Sequence, residues 1–322
     1  MSDAELDRGY DIIGDVHGCA HTLERLLEQM GYRRLNGVWQ HPRRQALFLG
    51  DIIDRGPRIR EALHLVRDMV EAGQARCIMG NHEFNAICWE TPAPPGSARS
   101  YLREHTERHH RLIGDTLAQF DPWPQEWREF VQWFGDLPLF LDMGPFRLVH
   151  ACWDSSLIEP LRQDYPDGRI DDEFLIASAH WGSFPAQTFD RLLRGTDMRL
   201  PHGITMTGKD GFTRAFFRTK FWEEAPETYG DVVFQPDALP EPVAEKPLTE
   251  QQKAELMIYQ PHDPLLFVGH YWQQGTPQPI RPNLACLDYS AVKYGKLVAY
   301  RWSGETRLER DHFVWVEVPQ MS

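Results

Sequence analysis

The chain has no apolar run approaching 18 residues, so no segment reads as a membrane-spanning helix. It is also short of positive charge. Lys and Arg number 34 against 47 Asp and Glu, and 34 − 47 = −13. Such a surface repels nucleic acid over most of its area, because nonspecific binding depends on neutralising phosphates; a dedicated duplex DNA or RNA partner is not expected. Cysteine is scarce and odd in number: Cys19, Cys77, Cys88, Cys152 and Cys286. None forms a Cys-x-x-Cys pair of the metal-binding kind. Met1 to Asp11 is polar and lacks the apolar centre of a secretory signal. Free thiols in a reducing, cytoplasmic setting are therefore the expectation. No Gly-x4-Gly-Lys-Ser/Thr loop exists to support an ATPase.

What is present is an ordinary globular composition, 42% hydrophobic and 25% charged, over 322 residues. That suits one large domain, residues 1–322, carrying insertions. Three stretches stand out, each after an apolar run: Gly14-Asp15-Val16-His17-Gly18, Gly50-Asp51-Ile52-Ile53-Asp54-Arg55-Gly56, and Gly80-Asn81-His82-Glu83. Tyr10–Ile13, Ala46–Leu49 and Arg76–Met79 read as the strands before them. Ala20–Met30 and Ile59–Val70 read as amphipathic helices, the first stopped by Gly31. Repeated strand–motif–helix units predict an α/β fold with a largely parallel sheet, its chemistry at the C-terminal strand ends.

Residues 91–124 interrupt this pattern. They open on Pro92, Pro94, Pro95 and Gly96, then continue as a polar helix with His105, His109 and His110 on a solvated face. This stretch reads as an insertion that caps the site. Asp142–Pro145 is a hairpin turn between Leu139–Leu141 and Phe146–Val149, and 156–200 reads as mostly helical. Gly208–Gly211 reads as a turn, and 223–255, rich in Pro and Glu, as a loop or linker. Strands return at Leu265–Val268, Leu284–Leu287 and Leu297–Tyr300. His150 and His270 each follow one of these apolar strands.

Asp, His and Asn at three successive strand ends suit divalent cations and a phosphate ester. The three motifs together resemble the metallophosphoesterase (calcineurin-like) superfamily, in its phosphoprotein-phosphatase-like branch, which also contains bacterial diadenosine tetraphosphatases. The resemblance implies a four-layer α/β/β/α sandwich with a helical insertion. It implies two divalent cations about 3.5–4 Å apart, attack by a hydroxide they share, and no phosphoenzyme. Asp15, His17 and Asp51 would hold the first cation. Asp51 would bridge to a second, completed by Asn81, His150 and His270. Arg55 would bind the phosphate through its planar fork, and His82, oriented by Asp54, would protonate the leaving oxygen. Glu83 fits a supporting role at the helix start. This mix of O and N ligands suits Mn²⁺, with Fe or Zn²⁺ also compatible.

Weaker signals leave alternatives open. If Thr213–Lys220 is one strand, Arg214, Phe216, Arg218 and Lys220 share a face. That face is either a second phosphate clamp, with Arg218 as its binding residue, or a charged edge strand. Trp153, Tyr271 and Trp272 are either a stacking wall for a base or aryl group, or core. The Cys19–Arg25 spacing matches thiol phosphatases, but the residues between are helical in pattern rather than an anion-cradling loop. Ala151-Cys152-Trp153 departs from the Gly-Gly or Ala-Gly of protein-directed relatives, while Gly269-His270-Tyr271 is similar to the Gly-His-aromatic of dinucleoside tetraphosphatases. The expectation is a phosphomonoesterase acting on phosphoproteins or small phosphoesters. Symmetrical diadenosine tetraphosphate hydrolysis is the alternative, and an inactive regulatory module a third. The partners implied are phosphorylated small molecules, nucleotides or proteins, and no membrane.

Overall fold

Strands buried on both faces build two sheets that share one apolar layer. The computed structural model describes residues 9–207, 213–234 and 239–319. In chain order, β1 (Gly9–Ile13) leads through the first motif into α1 (Ala20–Gln29). A small hairpin, β2 (Arg33–Leu35) and β3 (Val38–Gln40), precedes β4 (Arg44–Phe48) and α2 (Ile59–Glu71). The third unit is β5 (Ala75–Cys77) followed by α3 (Asn81–Glu90). The strand–motif–helix unit thus occurs three times; the first two motifs are turns between strand and helix, and the third is the N-cap and first turn of α3.

The first sheet runs β14-β15-β1-β4-β5, from β14 (Asp288–Tyr289) and β15 (Lys296–Trp302), with β16 (Phe313–Glu317) beside β15. The pairs β1–β4 and β4–β5 are parallel, but β15 lies antiparallel to β1, β14 and β16. The sheet is therefore mixed rather than largely parallel. Its antiparallel strands all come from the last third of the chain, beyond the repeated units on which the parallel expectation rested. The second sheet is β13-β12-β7-β6, from β6 (Phe140–Asp142), β7 (Phe146–Val149), β12 (Leu265–Val268) and β13 (Leu284–Cys286). The expected hairpin is β6–β7.

Two-residue periodicity divides each strand between two cores. Tyr10, Ile12, Leu47, Phe146, Leu148, Leu265, Phe267 and Tyr300 fill the layer between the sheets. Ile13, Ala46, Phe48, Val149, Leu266 and Val268 face outward onto helices. On the first sheet these are α1, against β15 and β16, and α2, against β5. On the second, α6 (Ser155–Asp164) lays the Arg162 guanidinium 5.1 Å over the Phe140 ring. This is the expected α/β/β/α layering.

The inserted stretch ends in α4 (Glu107–Phe120), followed by α5 (Pro124–Gly135). His105 is exposed, as expected, but does not lie on the helix. It precedes α4 and is sandwiched between Trp89, with centroids 3.7 Å apart, and Tyr101 at 4.1 Å; its Nε2 lies 2.8 Å from the Trp89 carbonyl. Its ring stacks on these aromatic neighbours while staying open to solvent. Residues 156–200 hold α6, α7 (Asp172–Ala177) and α8 (Phe184–Arg194), then turn into β8 (Thr196–Arg199). The expected turn at Gly208–Gly211 lies outside the described residues, between β9 (Met206–Thr207) and β10 (Thr213–Arg214).

The expected continuous strand over Thr213–Lys220 is broken at Ala215. β10 pairs with β9, whereas β11 (Phe216–Thr219) pairs with β8. Arg214 and Arg218 therefore lie in separate two-stranded sheets. The stretch 223–255 carries α9 (Tyr229–Val232), α10 (Glu241–Ala244) and α11 (Glu250–Glu255). Tyr229, Val232, Val243 and Leu248 pack with Leu200, Met206 and Phe217 into a third apolar cluster. Capping by Thr228 and Thr249, each with its capping box, starts two of these helices despite the Pro and Glu content.

Candidate metal and phosphate site

The strand ends place their ligands with left-handed backbone. Of eight described non-glycine residues with positive φ, four belong to the motifs, His17 (43°), Asp51 (52°), Asp54 (70°) and Arg55 (69°), and a fifth is His270 (59°). Such conformations cost roughly 1–3 kcal/mol each and persist only where packing over-determines them. Close approach adds a second constraint. A Cβ at Gly80 would strike the Asp51 carboxylate, and one at Gly269 the Asp15 carboxylate.

Glu83 supports the second motif from α3. Its carboxylate is fully buried and accepts the backbone N–H groups of Asp51 (2.8 Å), Ile52 (2.8 Å) and Gly80 (2.9 Å). It holds two motif loops together, consistent with a supporting role. The backbone N–H of His82 donates to Asp51 Oδ1 at 3.0 Å, leaving Oδ2 for other work.

Three imidazoles converge on that second oxygen. Asp51 Oδ2 lies 3.3 Å from His150 Nε2, 3.6 Å from His17 Nε2 and 3.8 Å from His82 Nε2. His17 Nδ1 and His150 Nδ1 lie against backbone carbonyls, Ile53 at 2.8 Å and Leu49 at 2.7 Å. Donating there fixes the tautomer and turns the Nε2 lone pairs inward. Asn81 Oδ1 meets His150 Nε2 at 3.0 Å and His270 Nδ1 at 2.9 Å. Asp15 Oδ2 accepts the His270 N–H at 3.2 Å.

The buried donor set fits divalent cations. Asp15 Oδ1 and His270 Nε2 are buried without hydrogen-bond partners. Buried polar atoms of this kind are costly unless something polar meets them. Two tight groups, each with ligand atoms within 4.8 Å of one another, are His17–Asp51–His82 and Asp15–Asp51–His150. Asp51 is common to both, as a bridging carboxylate should be. Burial, then the His82 charge, drives the His17 pKa down to about 3; burial, then Arg218, lowers that of His270. Both imidazoles are thus kept neutral and ready to ligate. Burial, then Asp288, holds the Asp15 carboxyl well above its usual range. Burial opposes charge on Asp51 and His150, but their mutual attraction overrides it, lowering Asp51 and raising His150 to about 10. A cation between the two would take the place of that proton.

The residues expected to handle the phosphate stand beside the cluster. Asp54 Oδ2 meets His82 Nδ1 at 2.5 Å, both side chains being buried. The Arg55 side chain is exposed, with Nη1 3.4 Å from His17 Nε2. Sequence reading missed Thr116, which is fully buried on α4. Its hydroxyl donates to Asp54 Oδ1 at 2.5 Å and accepts the Asp54 N–H at 3.1 Å. Asp288 was missed too; it is buried, and its charge helps raise the pKa of Asp15. Neither lies in a motif, and a lone Thr or Asp gives no signal of its own.

Arg218 is half-buried, 6.0 Å from the Tyr271 ring and 5.8 Å from that of Phe234, and its charge is felt at His270. Trp153 and Tyr271 are fully buried core, and the Tyr271 hydroxyl accepts the Thr196 N–H at 2.9 Å. They form no stacking wall; Trp272 is partly buried at the edge of the same core. Cys19 caps α1 and is buried, while Arg25 is exposed on that helix. The thiol-phosphatase spacing brings no anion loop together.

Two facing sheets whose connecting loops gather carboxylate, imidazole and amide ligands around one shared aspartate define a dinuclear-metal class of α/β protein. The chain belongs to the calcineurin-like phosphoesterase family, whose family model matches residues 10–200. It is similar to bis(5'-nucleosyl)-tetraphosphatase PrpE [asymmetrical] of Bacillus thuringiensis, 41% identical over 165 residues, which are 48% of this chain and 59% of that protein. The enzyme of the same name from Oceanobacillus iheyensis is 51% identical over 73 residues, 22% of this chain and 29% of that protein. The matches thus span less than two thirds of these relatives. Similar solved structures include a protein serine/threonine phosphatase from Saccharomyces cerevisiae, 13% identical, TM-score 0.49, covering 99% of this chain and 83% of that one. A cold-active protein-tyrosine phosphatase of a Shewanella species is 16% identical, TM-score 0.47, covering 94% and 80%.

Proposed function

We propose that this chain is a metal-dependent phosphoesterase. Asp15, His17, Asp51, Asn81, His150 and His270 would hold two divalent cations, Mn²⁺ in use, with Asp51 shared. Bound there, the cations would supply water ionised near neutral pH and neutralise the phosphoryl oxygens. Arg55, exposed beside His17, orients the phosphate through its fork. His82, held at Nδ1 by Asp54, presents Nε2 to the leaving oxygen and gives it a proton. Arg218 stands beyond His270 as a further positive charge for the substrate. The inserted residues 91–124 cap this side of the site, and the chain acts as one cytoplasmic domain.

The observation that carries the reading is the convergence of three imidazoles on Asp51 Oδ2, beside two buried ligand atoms that have no partner. Phosphomonoester hydrolysis, on phosphoproteins or small phosphoesters, follows most directly from this geometry. A second reading, dinucleoside polyphosphate hydrolysis, is favoured by the names of the PrpE relatives, which are called asymmetrical. Asp51→Asn should lose metal, measured by elemental analysis, and lower turnover at least about 10³-fold. Unchanged metal content and activity would remove the proposal. With diadenosine tetraphosphate, ADP alone marks symmetrical cleavage, whereas ATP with AMP marks asymmetrical cleavage. Aryl phosphate turnover far above either supports the monoesterase.

A further inference from the structure

Outside the ligand cluster, two guanidiniums close on one neutral oxygen. Arg103 Nη1 donates to Asn85 Oδ1 at 2.9 Å, and Arg194 Nη2 donates to the same atom at 2.8 Å. Arg103 comes from the inserted segment and Arg194 from the last residue of α8. Among the described residues, no carboxylate forms an ion pair with Arg103. Arg194 reaches Asp190 at 3.4 Å along its own helix, where Asp190 is 60% exposed. Burial, then the Arg194 charge, pushes the Arg103 guanidinium down to about 10. Two cations brought together and partly desolvated are costly without a counter-charge, and one amide oxygen supplies little.

The pair sits on the catalytic side of α3. Asn85 follows Asn81 by four residues and His82 by three, so it neighbours each of them on the helix surface, with Cβ atoms roughly 5–6 Å apart. Asp54, the partner of His82, acts electrostatically on Arg103. Each guanidinium carries five N–H donors in a planar fork, so donors remain for an oxyanion.

We propose that Arg103, Arg194 and Asn85 form a second anion subsite, which takes the phosphate next along a polyphosphate substrate from the one held at Arg55. The inserted segment thereby selects substrates with linked phosphates over simple monoesters. This rests on the second reading above, dinucleoside polyphosphate hydrolysis, so the test has two arms. In the first, kcat/KM of the Mn²⁺-loaded protein is compared on diadenosine tetraphosphate and p-nitrophenyl phosphate. R103Q should lose about 10–100-fold on the former, mainly through KM, and stay within about threefold on the latter. In the second, inorganic pyrophosphate binding in EDTA is measured by calorimetry, where R103Q should weaken affinity about 10-fold or more. R194Q, at a side chain 37% exposed, repeats both arms should R103Q misfold. Equal losses on both substrates, or unchanged pyrophosphate affinity in both variants, would overturn the subsite. A wild type that hydrolyses neither substrate yet binds pyrophosphate through Arg103 would sink the hydrolytic reading and leave the subsite standing.

Discussion

At the residue scale, the site is a set of polar atoms whose partners have been arranged in advance. His82 is held by Asp54, and Asp54 by Thr116, so a hydroxyl on the inserted helix stands two bonds removed from the proposed proton donor. Thr116→Val keeps the shape and removes both hydrogen bonds to Asp54. It should lower kcat about 10-fold with KM nearly unchanged and move a limb of the pH–rate profile, while Thr116→Ser restores both. A purely structural role would lower the melting temperature without moving that limb. Thr116 carries no signature of this in sequence, because its partner is 62 residues away. The motif residues stand out in the sequence for the opposite reason: Asp15 and Asp51 sit in short loops and Asn81 opens α3, and the close spacing within each motif is itself the signal.

At the element scale, α2 and α5 are tied across their surfaces. Glu126 Oε2 accepts from Arg60 Nε at 2.5 Å, Oε1 accepts from Arg60 Nη2 at 2.9 Å, and His64 Nε2 lies 2.9 Å from Oε1. The Arg60 hydrogen bonds, against some burial, lower the Glu126 pKa below its ordinary 4.5. A carboxyl lowered in the folded state contributes stability that is complete above the unfolded pKa and lost as pH falls through the folded value. Glu126→Gln should therefore cost about 0.5–1 kcal/mol at pH 7, read by urea unfolding, and the difference should shrink below about pH 4.5. A gap that stayed undiminished at about pH 3 would refute this assignment. Helix and strand positions were largely legible, since amphipathic spacing in α1 and α2 reports a face that must be buried. The break at Ala215 was not, because β10 and β11 are set by their separate partners β9 and β8.

At the scale of the whole molecule, all five cysteines are buried and free. Burial pushes Cys19 up to about 11 and Cys88 to about 12, and raises Cys77, Cys152 and Cys286 as well. Ellman's reagent should find no fast thiol in the native protein and five per chain in guanidinium; a rapid native equivalent would contradict the packing. Among the described residues no helix is long and apolar enough to cross a membrane. By itself, the sequence determined the three motifs, the candidate ligand types and the apolar strands that carry them, because each depends on neighbours a few residues apart. Tertiary structure alone decided that His150 and His270 face Asn81, that Thr116 braces Asp54, and that Arg103 meets Arg194 on Asn85. It also turned the Pro- and Glu-rich stretch into helices around a third core. Those contacts join residues far apart in the chain, and their energies come from burial and charge that exist only once the sheets have stacked.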